Sequence, residues 1–442
     1  MSTVIFWFRS DLRLHDQPAL AAALRSGATH LVPVVCHAPA DEATRWGFAR
    51  VGANRSAFMQ AAVQGLATRL AALGTPLVQL QGNAADLLPA LARAVGATRV
   101  VCEDIAAPFE QDEIAALRAA GLQVRTVWQS SLIDPVALPW GTRNLPDVFT
   151  AFRNGLERKG VQPPLPRPEP TRLLPPPAAI DDALASPELA AARAAAAALA
   201  APACGPGATD ARSSFPFGKP AFDGTERAAR AHLAQYLARK LPHSYKATRN
   251  GLTGIDYSSK FSPWLATGAL SARQVMAELR AFEQAHGAND GSYWLWFELL
   301  WRDYFRFLHL QHGRTLYRAR GLGTLPPPTH NPQGFARWCE GRTGEPLVDA
   351  AMRELATTGY LSNRLRQMVA SYLIHDLQGD WRAGAAWFEA QLVDYDPYSN
   401  QGNWLYVAGR GTDPRGGRRF NPQKQSQEHD ANGSYRRMWS RA

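Results

Sequence analysis

Apolar positions along this chain follow two different patterns, and the change falls near residue 215. The run Thr3–Phe8 (TVIFWF) is short, apolar and closed by charge, which predicts a buried parallel strand. Helical spacing follows over Gln17–Arg25, then a second strand at His30–Cys36 and a long amphipathic helix at Arg55–Leu73. Pro76–Gln81 reads as a strand, Ala85–Val95 as a helix, Arg99–Cys102 as a strand, Gln111–Ala120 as a helix and Gln123–Trp128 as a strand. This alternation predicts a doubly wound, Rossmann-like α/β domain with a parallel sheet over residues 1–132.

Between 133 and 214 neither period persists. Pro163–Pro177 is proline-rich and extended, and Ala178–Ala203 is alanine-rich with helical tendency. Together they predict an inter-domain connector crossing the surface. From 215 to 442 the pattern is helical, with aromatic-rich faces and no strand. The helices expected are Glu226–Lys240, Pro263–Thr267, Ser271–His286, Ser292–His312, Val348–Thr357, Asn363–Gln378 and Ala383–Leu392. The second domain is therefore expected to be all-α.

Composition sharpens this picture in three places. A chain of 442 residues is too long for one ordinary core, and 46% apolar residues suffice for two. Residues 1–205 carry 18 Lys and Arg against 17 Asp and Glu, whereas residues 206–442 carry 30 against 21. A basic C-terminal half favours a polyanionic partner, although a plainly solvated arginine-rich surface explains the charge equally well. Cys36, Cys102, Cys204 and Cys339 are too dispersed for a metal knuckle or cluster, so reduced thiols and no metal are expected. Arg9, Asp11 and Arg13 interrupt the first apolar run, which speaks against a signal peptide. The stretch Leu189–Ala201 is too short to span a membrane and is broken by Arg193. A cytoplasmic protein is expected.

Three segments carry candidate chemistry. In DYSSKFSPWLATG (Asp256–Gly268), Ser262 before Pro263 reads as a helix N-cap, and three serines with Lys260 make an anion site. A plain helix cap is the simpler reading of those residues alone. In SYWLWFELLWRDYFRFLHLQHG, Ser292 reads as the cap, and Glu298, Arg302 and Arg306 form a charged stripe at i, i+4 and i+8. That helix is apolar or aromatic on nearly every face, so the stripe should meet a ligand or partner charges. An aromatic plane such as Trp301 beside a carboxylate suits a flat base turned out of its strand. An aromatic core with a structural Glu–Arg pair is the alternative. In the third segment Asn363 and Arg366 begin one helix, while Asp394 and Asp396 precede Pro397 in a tight loop. Those carboxylates suit sugar hydroxyls or a ring edge, and a capped loop explains them as well.

Taken in order, these segments resemble the photolyase/cryptochrome family, most closely its DASH branch. FWFRSDLRLHD (Phe6–Asp16), YKATRNGLTGIDYSSKFSPWLATGALS, WFELLWRDYFRF, DAAMRELATTGYLSNRLRQ, DYDPYSNQGNW and NPQKQSQEHDANGSY carry the resemblance. It covers nearly the whole chain except roughly 135–210. The resemblance implies a U-shaped FAD in the helical domain. Tyr245, Ser258, Ser259, Lys260, Phe261 and Ser262 would hold its diphosphate and ribityl. Arg302 would face flavin or phosphates, and Asn400 would sit by flavin N5. Arg366 and Asp394 would pair across the ring, Asp396 would meet the flavin edge or the adenosine, and Asn363 would lie between cofactor and lesion.

The activity implied is light-driven splitting of cyclobutane pyrimidine dimers in DNA, by an electron lent from reduced FAD. The DASH branch is associated with lesions in single-stranded DNA, which spares the cost of opening a duplex. Glu298 would hydrogen-bond a pyrimidine carbonyl through its acid form, Trp301 would stack on the dimer, and Arg249 and Arg364 would bind flanking phosphates. No histidine adjoins Asn363, which favours the cyclobutane dimer over the 6–4 photoproduct. The alternative is a blue-light signalling cryptochrome that uses the same flavin without repair. Trp381 and Trp404 match the inner two tryptophans of the family's photoreduction chain. Gly321–Pro332, where the outer one lies, has none, with Pro328 near that place and Trp338 or Tyr406 as substitutes. A 5,10-methenyltetrahydrofolate antenna would need an acid in EDIAAPFEQDE, where Glu110 or Glu103 could serve. The first strand is not followed by G-x-G-x-x-G, which weakens a nicotinamide reading. A monomer is expected.

Overall fold

A computed structural model describes residues 2–39, 42–199 and 208–440. Its N-terminal part runs β1 (Thr3–Phe8), α1 (Pro18–Leu24), β2 (His30–His37), α2 (Ala53–Ala72), β3 (Val78–Gln81), α3 (Ala84–Ala94), β4 (Ala97–Glu103), α4 (Pro108–Ala119) and β5 (Gln123–Val127). The strands form one parallel sheet in the order β3-β2-β1-β4-β5. Every residue of β1 is buried because helices cover both faces of this central strand, which is why its run is apolar throughout. One face packs Ile5 and Trp7 with Leu88 and Leu91, and the other packs Val4 and Phe6 with Leu66 and Leu70.

The stretch 133–214 does more than cross the surface. It holds α5 (Phe149–Arg158), α6 (Ile180–Leu184) and α7 (Pro187–Leu199). Phe149, Phe152 and Leu156 put one face of α5 into the core of the helical part. That spacing is helical, but the segment is short and surrounded by proline and glycine, so its period was hidden. Leu189 and Ala192 of α7 pack against the α/β core beside the edge strand β3, which covers an otherwise open sheet edge. The part of the alanine-rich run beyond residue 199, and Cys204, lie outside the described residues.

The C-terminal part comprises α8 (Glu226–Ala238), α9 (Tyr245–Thr248), α10 (Ser262–Thr267), α11 (Ala272–His286), α12 (Asp290–His312), α13 (Pro332–Cys339), α14 (Pro346–Thr358) and α15 (Asn363–Ser371). It continues with α16 (Trp381–Gln391), α17 (Pro397–Ala408), α18 (Pro422–His429) and α19 (Ser434–Met438). Two expected caps move. Asn289, not Ser292, caps α12; Ser292 occupies the third position of a reciprocal capping box. Ser262 is the first residue of α10 after an Phe261 cap, and no side chain caps that helix. The helix expected over Asn363–Gln378 ends at Ser371 and passes into a π-turn over Tyr372–Asp376. No described helix is long and apolar enough to cross a membrane.

The two parts are joined by buried polar contacts. The Asp303 carboxylate on α12 accepts the N–H groups of Leu132 (2.9 Å) and Ile133 (2.7 Å). Arg13 donates to the Gly268 carbonyl at 2.9 Å, and the Leu12 N–H donates to Thr267 at 3.0 Å. Gly268 ends α10 in the left-handed region, and a Cβ there would lie 2.1 Å from the Ser10 carbonyl oxygen. This close approach pins the N-terminal loop Ser10–His15 against the C-terminal end of α10.

Candidate functional site

Helix α12, the segment before α10, and the starts of α15 and α17 enclose one large cavity, with about 1630 Å³ of empty space including its open mouth. Tyr245, Ser258, Ser259, Lys260, Phe261 and Ser262 line one wall. Glu298, Trp301 and Arg302 of α12 line a second, and Asn363, Arg366, Asp394 and Asp396 a third. Residues scattered over 150 positions of sequence thus converge as the resemblance implied. The size suits a dinucleotide better than a small metabolite.

The wall of serines carries an unsatisfied group. Lys260 is 2% exposed, and its Nζ has no hydrogen-bond partner. The amine lies 3.2 Å from the centroid of the Tyr257 ring and 5.1 Å from that of Tyr360. Burial drives its pKa well below the ordinary lysine value, with Glu354, Asp256 and Asp394 pulling the other way. Lys260 also adopts a left-handed backbone conformation, φ 58°, which is uncommon for a non-glycine residue. Behind it, Glu354 is fully buried and accepts the Tyr435 hydroxyl of α19. Burial raises the Glu354 carboxyl to about 8. A buried amine lacking a partner on a serine-lined wall fits the diphosphate of FAD, which would supply the missing acceptors.

The charged stripe on α12 is paired, but not within itself. Glu298 forms an ion pair with Arg249 of the α9 end, Arg306 pairs with Asp396, and Arg302 donates to the carbonyls of Ser130 and Leu265. Arg302 lines the cavity, yet two of its N–H groups are spent on backbone rather than left for phosphates. Burial lowers its pKa to about 10, helped by Arg306. Asp396 is also the N-cap of α17, accepting the Ser399 N–H at 2.7 Å, so the expected loop is the start of a helix. Burial opposes its charge, but Arg306 and Arg302 outweigh this and hold its pKa below the usual carboxylate value.

Arg366 and Asp394 form the expected pair at 2.8 Å, with the Asp394 side chain 2% exposed. Burial works against the Arg366 guanidinium, and Asp394 outweighs it, raising the arginine pKa. Asp394→Asn should cost the cofactor-free protein about 1–3 kcal/mol, because it leaves the partly buried Arg366 without its counter-charge. Urea unfolding measures this; a change below about 1 kcal/mol would show that the pair is not structural.

The remaining expected residues are more dispersed. Asn400 lines a smaller recess that shares Asn363, Arg366, Asp394 and Asp396 with the main cavity, and it donates to the Ala385 carbonyl at 3.0 Å. Trp404 borders the same recess, packed on Phe388 and 6.3 Å from Trp338 between ring centroids. Trp381 is buried at the start of α16 and donates to the Ala319 carbonyl. Arg364 lies outside the cavity lining and donates to Asn250. Trp301 stacks on Phe149 at 3.8 Å. Tyr257, Tyr360, Gln367 and Tyr406 also line the cavity and were not expected as cofactor or lesion contacts. The Glu110 corner is occupied by the protein's own pairs: Arg50 covers the Phe109 ring at 3.8 Å and is held by Glu42 and Glu389. Glu103 is buried, its carboxyl raised to about 8 by burial.

Comparison with known proteins identifies the family. Residues 4–170 match the DNA photolyase family, and residues 294–441 match the FAD binding domain of DNA photolyase. The chain is 42% identical to the Cryptochrome DASH of Synechocystis sp., over 99% of this chain and 87% of that protein. The crystal structure of the Synechocystis sp. PCC6803 cryptochrome superposes with a TM-score of 0.88 at 40% identity, covering 99% of this chain and 88% of that one. A bacterial class III photolyase from Agrobacterium tumefaciens superposes with a TM-score of 0.76 at 28% identity, covering 99% and 86%. The chain therefore belongs to the photolyase/cryptochrome family, in its DASH branch, and carries that family's FAD-binding domain.

Proposed function

We propose that this protein repairs cyclobutane pyrimidine dimers by light, preferentially in single-stranded DNA, acting as a cytoplasmic monomer. The observation that carries the reading is that one cavity holds both the cofactor-type wall around Lys260 and the lesion-type wall of Glu298 and Trp301. A protein that only sensed light would need the first wall alone.

The chemistry FAD supplies when bound is an electron, lent to the dimer under light and recovered when the ring opens. The protein supplies the rest. The serine–lysine wall, Arg366 and Asp394 hold the cofactor, and Trp301 offers a ring to the extruded dimer. Arg249 and Glu298 neutralise each other in the free protein. A phosphate of the incoming strand competes for Arg249, and Glu298, losing its counter-charge beside an apolar ligand, takes up a proton. Its acid form then donates to a pyrimidine carbonyl, where a preorganised donor stabilises the negative charge of the splitting dimer.

The test is illumination of FAD-reduced protein with an oligothymidylate carrying dimers, followed at the thymine absorbance band. A light-dependent rise is expected, faster for single strands than for duplex. No rise with either substrate, with reducible flavin bound, would leave photosensing as the function. The relatives' name, cryptochrome, is what favours that second reading.

A further inference from the structure

Behind the lesion-type wall lies a second cavity, with about 570 Å³ of empty space including its mouth. Trp301, Phe305 and Tyr406 line both cavities and so form the partition between them. The inner surface is apolar: Phe149, stacked on Trp301, faces Leu308, Leu322 and Leu405. The rim is polar. The Tyr304 hydroxyl joins Thr412 to the Pro146 carbonyl, and Asp413 holds both Arg415 and Arg418. Arg418 in turn donates to the Tyr406 hydroxyl, and Arg415 extends into solvent with its side chain 60% exposed.

An aromatic slot with a hydrogen-bonding rim and guanidinium groups at its edge matches a nucleobase with its phosphate. We propose that this cavity is a subsite for the unpaired base next to the lesion, whose ring enters beside Phe149 while its phosphate meets Arg415. The inference rests on the repair reading above for the position of the lesion. Two observations select this occupant. The shared partition sets the slot directly beside the lesion-type wall, within one nucleotide's reach of a dimer in the first cavity. On the rim Arg415 and Arg418 balance Asp413 and Asp147, and Arg415, the exposed member, is free to turn from Asp413 to a phosphate. An unpaired base enters without the cost of breaking a base pair, so the slot favours a single strand over a duplex.

The experiment uses the FAD-loaded protein in the dark, with single strands carrying a dimer and 2-aminopurine one nucleotide to its 3′ or 5′ side. Binding should change the emission of the probe about twofold or more at one of these positions and not at a remote one. Gly411→Val narrows the slot: its backbone is not in the left-handed region, and its Cβ would lie 3.6 Å from that of Leu405, an ordinary contact. This variant should lose the emission change and bind the single strand at least about fivefold more weakly. Arg415→Ala should weaken binding and flatten its salt dependence by about one ion. Flavin content checks the fold of both variants. An unchanged emission at both flanking positions with the wild-type protein, or full binding and emission in Gly411→Val, overturns the subsite. Dimer splitting under light is read separately. Its absence with the emission change intact removes the repair reading and leaves a base-binding slot.

Discussion

Glu298→Ala is expected to slow light-driven dimer splitting about 100-fold, the usual cost of removing one preorganised donor from a developing negative charge. Flavin content should not change, because the serine–lysine wall and the Arg366–Asp394 pair are untouched. Glu298→Gln separates two explanations of such a loss. Its amide donates a hydrogen bond at any pH, so splitting should stay within roughly tenfold of wild type if donation is the role. The pairing with Arg249 adds a second readout. If the strand takes Arg249 and Glu298 then gains a proton, DNA binding by the wild-type protein should take up close to one proton, measured by titration in buffers of different ionisation enthalpy. Glu298→Gln should abolish this uptake. Equal loss of splitting in both variants, with no proton uptake by the wild type, would reduce Glu298 to a structural partner of Arg249.

The α/β half was largely legible in the sequence because its central strands are buried on both faces and its helices on one. Period and length then leave few alternatives, as at β1 and α2. The helices missed are the ones whose signal is local and weak. α17 begins at a proline after two aspartates, and Asp396 caps it, so the same residues read as a turn. α5 is ten residues long, and its apolar face is defined only by the helical core it completes. In the site, the residue types were readable but their pairing was not. Glu298 finds Arg249 and Arg306 finds Asp396 across 49 and 90 positions. The spacing of the stripe along one helix predicts that it meets a ligand or partner charges, but it cannot name partners that lie on other elements. Tyr257 and Tyr360 line the site because their rings lie against the Lys260 amine, a contact that no local sequence pattern announces.

Lys260→Met should move two quantities in opposite directions. In the FAD-free protein the buried Nζ has no partner, so an apolar side chain of similar length should raise stability by about 1–3 kcal/mol. If Lys260 meets the diphosphate as proposed, the same change should make FAD bind about 10- to 100-fold more weakly. The pH dependence of the FAD-free protein provides a second check, because Lys260 and Glu354 lean in opposite senses. The Lys260 pKa is lowered on folding, so its penalty is largest at low pH and fades as pH rises toward the unfolded value. The Glu354 pKa is raised to about 8, so its contribution is fully present below the unfolded carboxyl value and is lost as pH rises through about 8. The two slopes offset each other in the wild type. Lys260→Met should leave the Glu354 slope exposed, with stability falling between pH 6 and 9. Glu354→Gln should do the reverse, with stability rising as pH approaches the unfolded lysine value. Urea unfolding across that range decides the matter. Parallel pH profiles in all three proteins, or undiminished FAD affinity in Lys260→Met, would mean that Lys260 is packed against its tyrosines for structure alone.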